Sequence, residues 1–239
     1  MRGKMAAALL ASFVLSALEA GRITTLTAFG LDPAAPVEPF APPPIEVNEW
    51  ADLYLPAGRT RDLGNDTLVV FVHGGSWTSG THKDALFGGH AWLGRTLASG
   101  PDAVATAVVS YPKGSLWRSL LGNSDRTYIP KQVDSIVRTL MELQALTCAR
   151  TTVMIGHSAG SHLAASLAMV NMPSNLYTFI GASGIYDPET MEHQPWPVGA
   201  VMKTLYLDPV FGGHYTDFFV PVKAARRSPT ERSSSTSIR

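Results

Sequence analysis

A pentapeptide with two glycines around a central serine is the feature of the sequence with the clearest chemical meaning. Gly156–Gly160 reads GHSAG and fits the pattern G-x-S-x-G, with Ser158 at its centre. The apolar stretch TTVMI precedes it and an alanine-rich stretch follows, which predicts a sharp turn from a strand into a helix. At such a turn the hydroxyl points out above the sheet. We therefore take Ser158 as a candidate nucleophile for acyl transfer, with a chance match of a loose pattern as the alternative.

A second glycine-rich segment, HGGSW, comes directly after the apolar stretch TLVVFV earlier in the chain. Preorganised N–H groups aimed at the oxyanion of a tetrahedral intermediate accelerate acyl transfer by about 10²–10³-fold per donor. We predict an oxyanion hole in the loop formed by Gly74, Gly75 and Ser76. The donors would be the N–H of Gly75 or Ser76 and that of Ala159. Trp77 is expected either to wall the substrate pocket or to pack beneath the loop.

Strand-like and helix-like stretches alternate around both segments. Continuous runs of apolar and β-branched residues indicate strands buried on both faces, and apolar residues at three- and four-residue spacing indicate an amphipathic helix. The alternation favours a mainly parallel sheet with helices on both faces, and the first strand is expected at a sheet edge. The predicted strands are Asp52–Leu55, Thr67–Val72, Ala103–Ser110, Thr151–Ile155 and Tyr177–Ala182, and the predicted helices are Pro130–Leu146 and Gly160–Val170.

Four motifs in this order resemble those of the α/β-hydrolase superfamily. HGGSW is followed by a strand that ends in Ser-Tyr-Pro at 110–112, then by IGHSAGSHLAA and GASGIYD. Within the superfamily the chain is similar to the carboxylesterase-like branch. The last two motifs, with DLYLP at 52–56, look like those of prenylcysteine methylesterases and kynurenine formamidases (arylformamidases). The resemblance covers about residues 48–187 and implies an α/β-hydrolase fold with esterase or amidase activity.

The segment after GASGIYD departs from the pattern of the family. There an acid follows the next strand and a histidine the strand after it, whereas residues 188–239 contain no apolar strand that ends in such a residue. The resemblance therefore implies a C-terminally truncated chain that lacks the last strands and both triad partners. His214 remains a candidate base. His157 is expected to point into the turn and His162 to pack against a strand. For Asp187 the resemblance implies a structural role, or the anchoring of a cap segment over the site.

Composition and charge exclude other classes of function. Lys plus Arg and Asp plus Glu both number 19, so no basic excess suggests a nucleic-acid partner. Cys148 is the only cysteine, and we expect it to be a small buried hydrophobe. His73, His82 and His90 are not spaced as a metal-ligand set, and no glycine pattern of a nucleotide site occurs where one would be needed. We expect no metal and no cofactor.

The two termini differ in kind from the centre of the chain. A positively charged start followed by a short apolar run is typical of a secretory signal, and dense prolines favour an extended linker. We expect the secretory pathway or the endoplasmic reticulum membrane, with membrane association through the N-terminus, or otherwise the cytoplasm. The expected division is a signal peptide or signal anchor at 1–20, a Pro-rich linker at 21–46, an incomplete hydrolase domain at 47–227 and a disordered tail at 228–239.

The sequence thus predicts a serine hydrolase that acts on a small-molecule ester or amide through Ser158. The alternative is a catalytically impaired, truncated hydrolase-fold protein, or a ligand-binding module, that lacks the triad Asp and His. The two differ in whether a base reaches the serine hydroxyl.

Overall fold

The computed structural model describes residues 42–85, 89–99, 102–114, 128–170, 174–195, 199–200, 203 and 207–211. His214, the segment expected to be a signal, most of the expected linker and the C-terminal tail lie outside these residues. Within the described part, no helix combines the length and the hydropathy needed to cross a bilayer. The first strand of the described part begins at Ile45, two residues before the expected start of the domain.

In the part of the chain that the structure describes, the strands are β1 (Ile45–Asn48), β2 (Ala51–Tyr54), β3 (Thr67–Val72), β4 (Ala105–Val109), β5 (Thr151–His157) and β6 (Leu176–Ala182). These six strands form one mixed sheet in the order β1-β2-β4-β3-β5-β6. The first two strands and β4 pair antiparallel, and β4, β3, β5 and β6 run parallel to one another. The predicted mainly parallel sheet is therefore confirmed.

Helices cover both faces of this sheet, as expected. Alternate side chains of β3 point to opposite faces, because successive residues of a strand do so. Val70 and Val72 belong to an apolar cluster with Ile136 and Leu163, whereas Phe71 packs in a second cluster with residues of the first helix. The helices are α1 (Ala91–Leu97), α2 (Tyr128–Thr147), α3 (Ala159–Val170), α4 (Pro188–Glu192) and α5 (Asp208–Phe211).

Two sequence predictions were wrong. The strand at 52–55 is not at a sheet edge, because β1 pairs with the outer side of β2. The β1 sequence, IEVN, is short and follows a run of prolines, which concealed it. Cys148 is exposed rather than buried. It has a φ of 50° directly after α2, so it reverses the chain at the helix end instead of joining the core.

Candidate active site

The two glycine-rich segments meet because their strands are neighbours in the sheet. Strands β3 and β5 pair in parallel, with Val72 opposite Gly156, so both chains leave the sheet at the same edge. Ligand sites of parallel α/β sheets form at this carboxyl edge. The loop after β3 carries Gly74 and Gly75, and the turn after β5 carries Ser158.

Ser158 occupies a turn with left-handed backbone geometry. Its φ is 51°. This conformation costs a residue other than glycine about 1–3 kcal/mol and persists only where surrounding contacts hold it. Here its N–H donates to the carbonyl of Ala182 at 2.9 Å, and its own carbonyl accepts from the N–H of Ser161 at 3.0 Å. The bond to Ala182 ties the turn to the end of β6. Ser158 is partly exposed, as a residue open to substrate must be.

The glycines of the pentapeptide lie where no side chain fits. A Cβ atom on Gly160 would lie 2.2 Å from the carbonyl oxygen of Val72, and one on Gly156 would lie 2.6 Å from the Cα of Ser161. Both neighbours are backbone and cannot move aside. The glycines therefore allow the start of α3 to pack directly against the end of β3.

Gly74 brings the first loop into contact with the serine turn. A Cβ atom on Gly74 would lie 3.0 Å from the Cβ of Ser158 and 2.9 Å from Nδ1 of His157. The two segments that the sequence singled out, far apart in the chain, are thus packed against each other without an intervening side chain.

The loop that follows Gly74 has an unusual backbone. Gly75, Ser76 and Trp77 have φ values of 111°, 51° and 61°. The carbonyl of Gly75 accepts the N–H of Thr78 at 3.0 Å, the N–H of Ser79 at 2.9 Å and the Ser79 hydroxyl at 2.9 Å. These bonds close the loop on itself.

The backbone N–H groups proposed as oxyanion donors are not used elsewhere in the described part of the chain. Among the hydrogen bonds that link described residues, none is donated by the N–H of Gly75, Ser76 or Ala159. Ala159 is the first residue of α3, where the helix leaves its N–H groups without intrahelical acceptors. These three amides therefore have no hydrogen-bond acceptor among the described residues.

Trp77 packs beneath the loop rather than lining a pocket. It has no exposed surface, its Nε1–H donates to Nδ1 of His162 at 3.3 Å, and its ring meets that of Phe211 edge-on at 5.1 Å. The sequence had left both roles of this tryptophan open. His162 is fully buried, and its ring meets that of Trp77 edge-on.

His73 supports the loop from below and is fully buried. Its Nδ1–H donates to the carbonyl of Gly74 at 2.6 Å, so Nε2 accepts the hydroxyl of Ser110 at 3.0 Å. Burial first, and then the neighbouring His90, lower the pKa of His73 well below 6.5, which favours this neutral form. The ring stacks on Tyr111, whose hydroxyl donates to the His73 carbonyl at 3.1 Å.

The Ser-Tyr pair after β4 is therefore part of the site, a role that the sequence did not reveal. The Ser110 oxygen also accepts from the N–H of His82 at 2.8 Å and lies 2.9 Å from Nδ1 of the same residue. One hydroxyl thus connects the loop after β3 with the segment that carries His82. Gln132 was missed too. Its Nε2 donates to the carbonyls of Trp77 and Pro112 at 3.0 and 2.8 Å.

None of the other described histidines is placed as a base for Ser158. His157 lies beside Gly74 with its Nδ1 buried and unpartnered among the described residues, and burial lowers its pKa. His193 is exposed at the end of α4. Asp187 accepts the N–H of Glu189 at 3.2 Å as the N-cap of α4. Over the described residues, the Ser158 hydroxyl makes no hydrogen bond.

Acidic, histidine and cysteine side chains do not form a metal centre in the part of the chain that the structure covers. No group of three such residues there could hold an ion.

Comparison with solved structures identifies the architecture. No protein-family model matches the chain. It is similar to esterase B from Lactobacillus rhamnosis inhibited by a C6-C4 SN3 compound, with a TM-score of 0.54 and 18% identity over 85% of this chain and 68% of that chain. A second esterase B structure, with a C4-C4 SN3 tributyrin phosphonate, gives a TM-score of 0.53 at 18% identity, over 86% and 67%. The chain has the α/β-hydrolase fold.

Proposed function

We propose that this protein is a serine hydrolase that cleaves carboxylic esters or amides with Ser158 as its nucleophile. The observation that carries the proposal is the contact between the strained turn at Ser158 and the Gly74 loop. It sets a partly exposed hydroxyl beside a loop whose amides have no other described acceptor. This combination is what acyl transfer requires.

In the proposed reaction, the Ser158 oxygen bonds to the substrate carbonyl carbon while a base takes its proton. The carbonyl oxygen becomes negative and accepts hydrogen bonds from the N–H of Gly75 or Ser76 and that of Ala159. Collapse of the intermediate breaks the bond to the leaving alcohol or amine, which takes the proton back. Water then hydrolyses the acyl-serine by the same steps. His214 remains the candidate for the base.

The substrate class is the finer part of the proposal and rests on sequence resemblance. The motifs GHSAGSHLA and SGIYD resemble those of prenylcysteine methylesterases and kynurenine formamidases. We therefore propose a small methyl ester or an N-formyl aryl amine as the substrate. Hydrolysis of one such compound but not of the other would separate the two.

An activity-based probe tests the nucleophile directly. A fluorophosphonate should form a covalent adduct at Ser158, to be located by peptide mass spectrometry, and Ser158→Ala should abolish it. Ser99→Ala is the matched control, since Ser99 caps the end of α1 through a bond to the Arg95 carbonyl and lies outside the site. No adduct on folded protein, or an adduct that persists in Ser158→Ala, would contradict the proposal.

A second candidate function is ligand binding without catalysis. It is favoured by the absence, among the described residues, of a hydrogen-bonded base at Ser158. Without that base, the oxyanion amides and substrate binding alone give a residual rate of about 10³–10⁴ over water. This function predicts that an ester or amide ligand raises the melting temperature equally in wild type and in Ser158→Ala, and that no product forms.

A further inference from the structure

The oxyanion loop is joined to the helix that follows the nucleophile by one buried hydrogen bond between side chains. The indole Nε1–H of Trp77 donates to Nδ1 of His162 at 3.3 Å, and both side chains have no exposed surface. An indole can only donate, so Nδ1 of His162 must be unprotonated. His162 lies one helical turn beyond Ser158 in α3.

Trp77 is held at its backbone as well as at its ring. Its carbonyl accepts from Nε2 of Gln132 and from the N–H of Gly114, both at 3.0 Å. The ring itself contacts Phe211 at 5.1 Å and His162 at 5.5 Å, each nearly perpendicular. These contacts come from α2, α3 and α5 and converge on one residue.

The backbone at Ser76 and Trp77 needs such a restraint. Both residues have positive φ values, which are rare in a bulky residue such as tryptophan and cost about 1–3 kcal/mol each. A loop without external restraint would relax from this conformation. The amides of Gly75 and Ser76 would then move relative to Ala159, which is fixed at the start of α3.

We propose that Trp77 and His162 are positioning residues, whose hydrogen bond holds the amides of Gly75 and Ser76 in register with that of Ala159. This inference rests on the proposed serine hydrolase function. Neither side chain touches the substrate. Their effect is exerted through the loop backbone, and misplacing one oxyanion donor lowers the rate of attack about 10²-fold.

The test uses variants at His162 and the rate of fluorophosphonate labelling at Ser158. His162→Leu replaces the imidazole by an apolar side chain and so removes the acceptor. Labelling of Ser158 should then slow about 10²-fold, with a larger effect on the first-order bond-forming step than on probe binding. His162→Asn places an amide oxygen near the position of Nδ1 and should restore most of the rate. Ser166→Ala is the matched control in the same helix, since the one bond of the Ser166 hydroxyl to a described residue is to the His162 carbonyl.

Loss of stability is separated from loss of positioning by the double variant Trp77→Phe with His162→Leu. It removes the indole donor of Trp77 together with its acceptor, so its melting temperature should recover relative to His162→Leu. Labelling by the double variant should stay slow, because the link is still absent. Labelling at the wild-type rate in folded His162→Leu, or slow labelling in His162→Asn equal to that of His162→Leu, would overturn the inference.

A measurement without chemistry keeps this inference distinct from the proposed function. If wild-type protein is not labelled at Ser158, the hydrolase proposal fails, and amide resonances then test the link alone. His162→Leu should shift the ¹H–¹⁵N signals of Gly75 and Ser76, whereas Ser166→Ala should leave them in place. Unchanged signals in His162→Leu would overturn the positioning role.

Discussion

At the scale of single residues, the site depends on Gly74 having no side chain. Gly74 presents only hydrogens to Ser158, and a methyl group there would lie within 3.0 Å of His157 and Ser158 atoms. Strained backbone is concentrated at the same place, at Ser76, Trp77 and Ser158. Backbone strain of this kind persists where the surrounding contacts over-determine it, and it clusters at functional sites.

Gly74→Ala should therefore impair the site more than it impairs the fold. We expect a loss of about 1–3 kcal/mol in the free energy of unfolding, typical of overpacking, and labelling of Ser158 slowed by more than this loss explains. Urea unfolding and probe kinetics measure the two effects. Gly58→Ala is the control: its Cβ would meet nothing within 4 Å, although its φ of 77° strains alanine. Equal labelling rates in the two variants would contradict this expectation.

At the scale of elements, the loops at the carboxyl edge of the sheet are hydrogen-bonded to one another. The hydroxyl of Ser110, at the end of β4, bonds to His73 in the loop after β3 and to His82 beyond that loop. Burial of these groups makes the network costly to break, because each unsatisfied polar atom would stay away from water.

Replacing Ser110 by alanine should destabilise the protein by about 2–4 kcal/mol, since His73 Nε2 and the His82 N–H would both lose their partner. The midpoint of urea unfolding measures this. Ser135→Ala is a close control, because its buried hydroxyl has no hydrogen-bond partner among the described residues. That variant should be neutral or more stable. A similar loss in both variants would show that the network does not stabilise the fold.

At the scale of the whole molecule, buried histidines make stability depend on pH. Burial is the main cause that lowers the pKa of His73, His82 and His157 below the ordinary value of 6.5. Below that pH the unfolded chain binds protons that the native protein excludes. The contribution of these neutral histidines to the free energy of unfolding is therefore at its full value above about pH 6.5. It falls as the pH drops toward each native pKa.

Chemical denaturation between about pH 7.5 and pH 5 measures this dependence above the range in which most carboxylates titrate. We expect the free energy of unfolding to fall over this interval, with a slope of at most about 1.4 kcal/mol per pH unit for each histidine. His157→Gln should make the slope shallower, because the unfolded chain then has one histidine fewer to bind a proton that the native protein excludes. A free energy that stays constant over the interval would contradict the burial of these histidines as neutral groups.

The sequence by itself determined five of the six described strands, the helices α2 and α3, and the local turn at Ser158. The bounds of β3 match the apolar run Thr67–Val72, and the helix after Ser158 begins one residue before its predicted start. Strand, turn and helix depend on neighbours in the chain, so composition and spacing suffice to predict them. The glycine pattern around Ser158 belongs to the same class, because its steric reason is local.

Only the tertiary structure decided how these parts meet. The position of β2 inside the sheet depends on pairing with β1 and β4, and nothing in the DLYLP segment specifies it. The bonds from Ser110 to His73 and from Trp77 to His162 join residues distant in the chain. Such contacts are set by which strands become neighbours and by the burial of polar groups that must then find partners, and a pattern along one chain does not encode either.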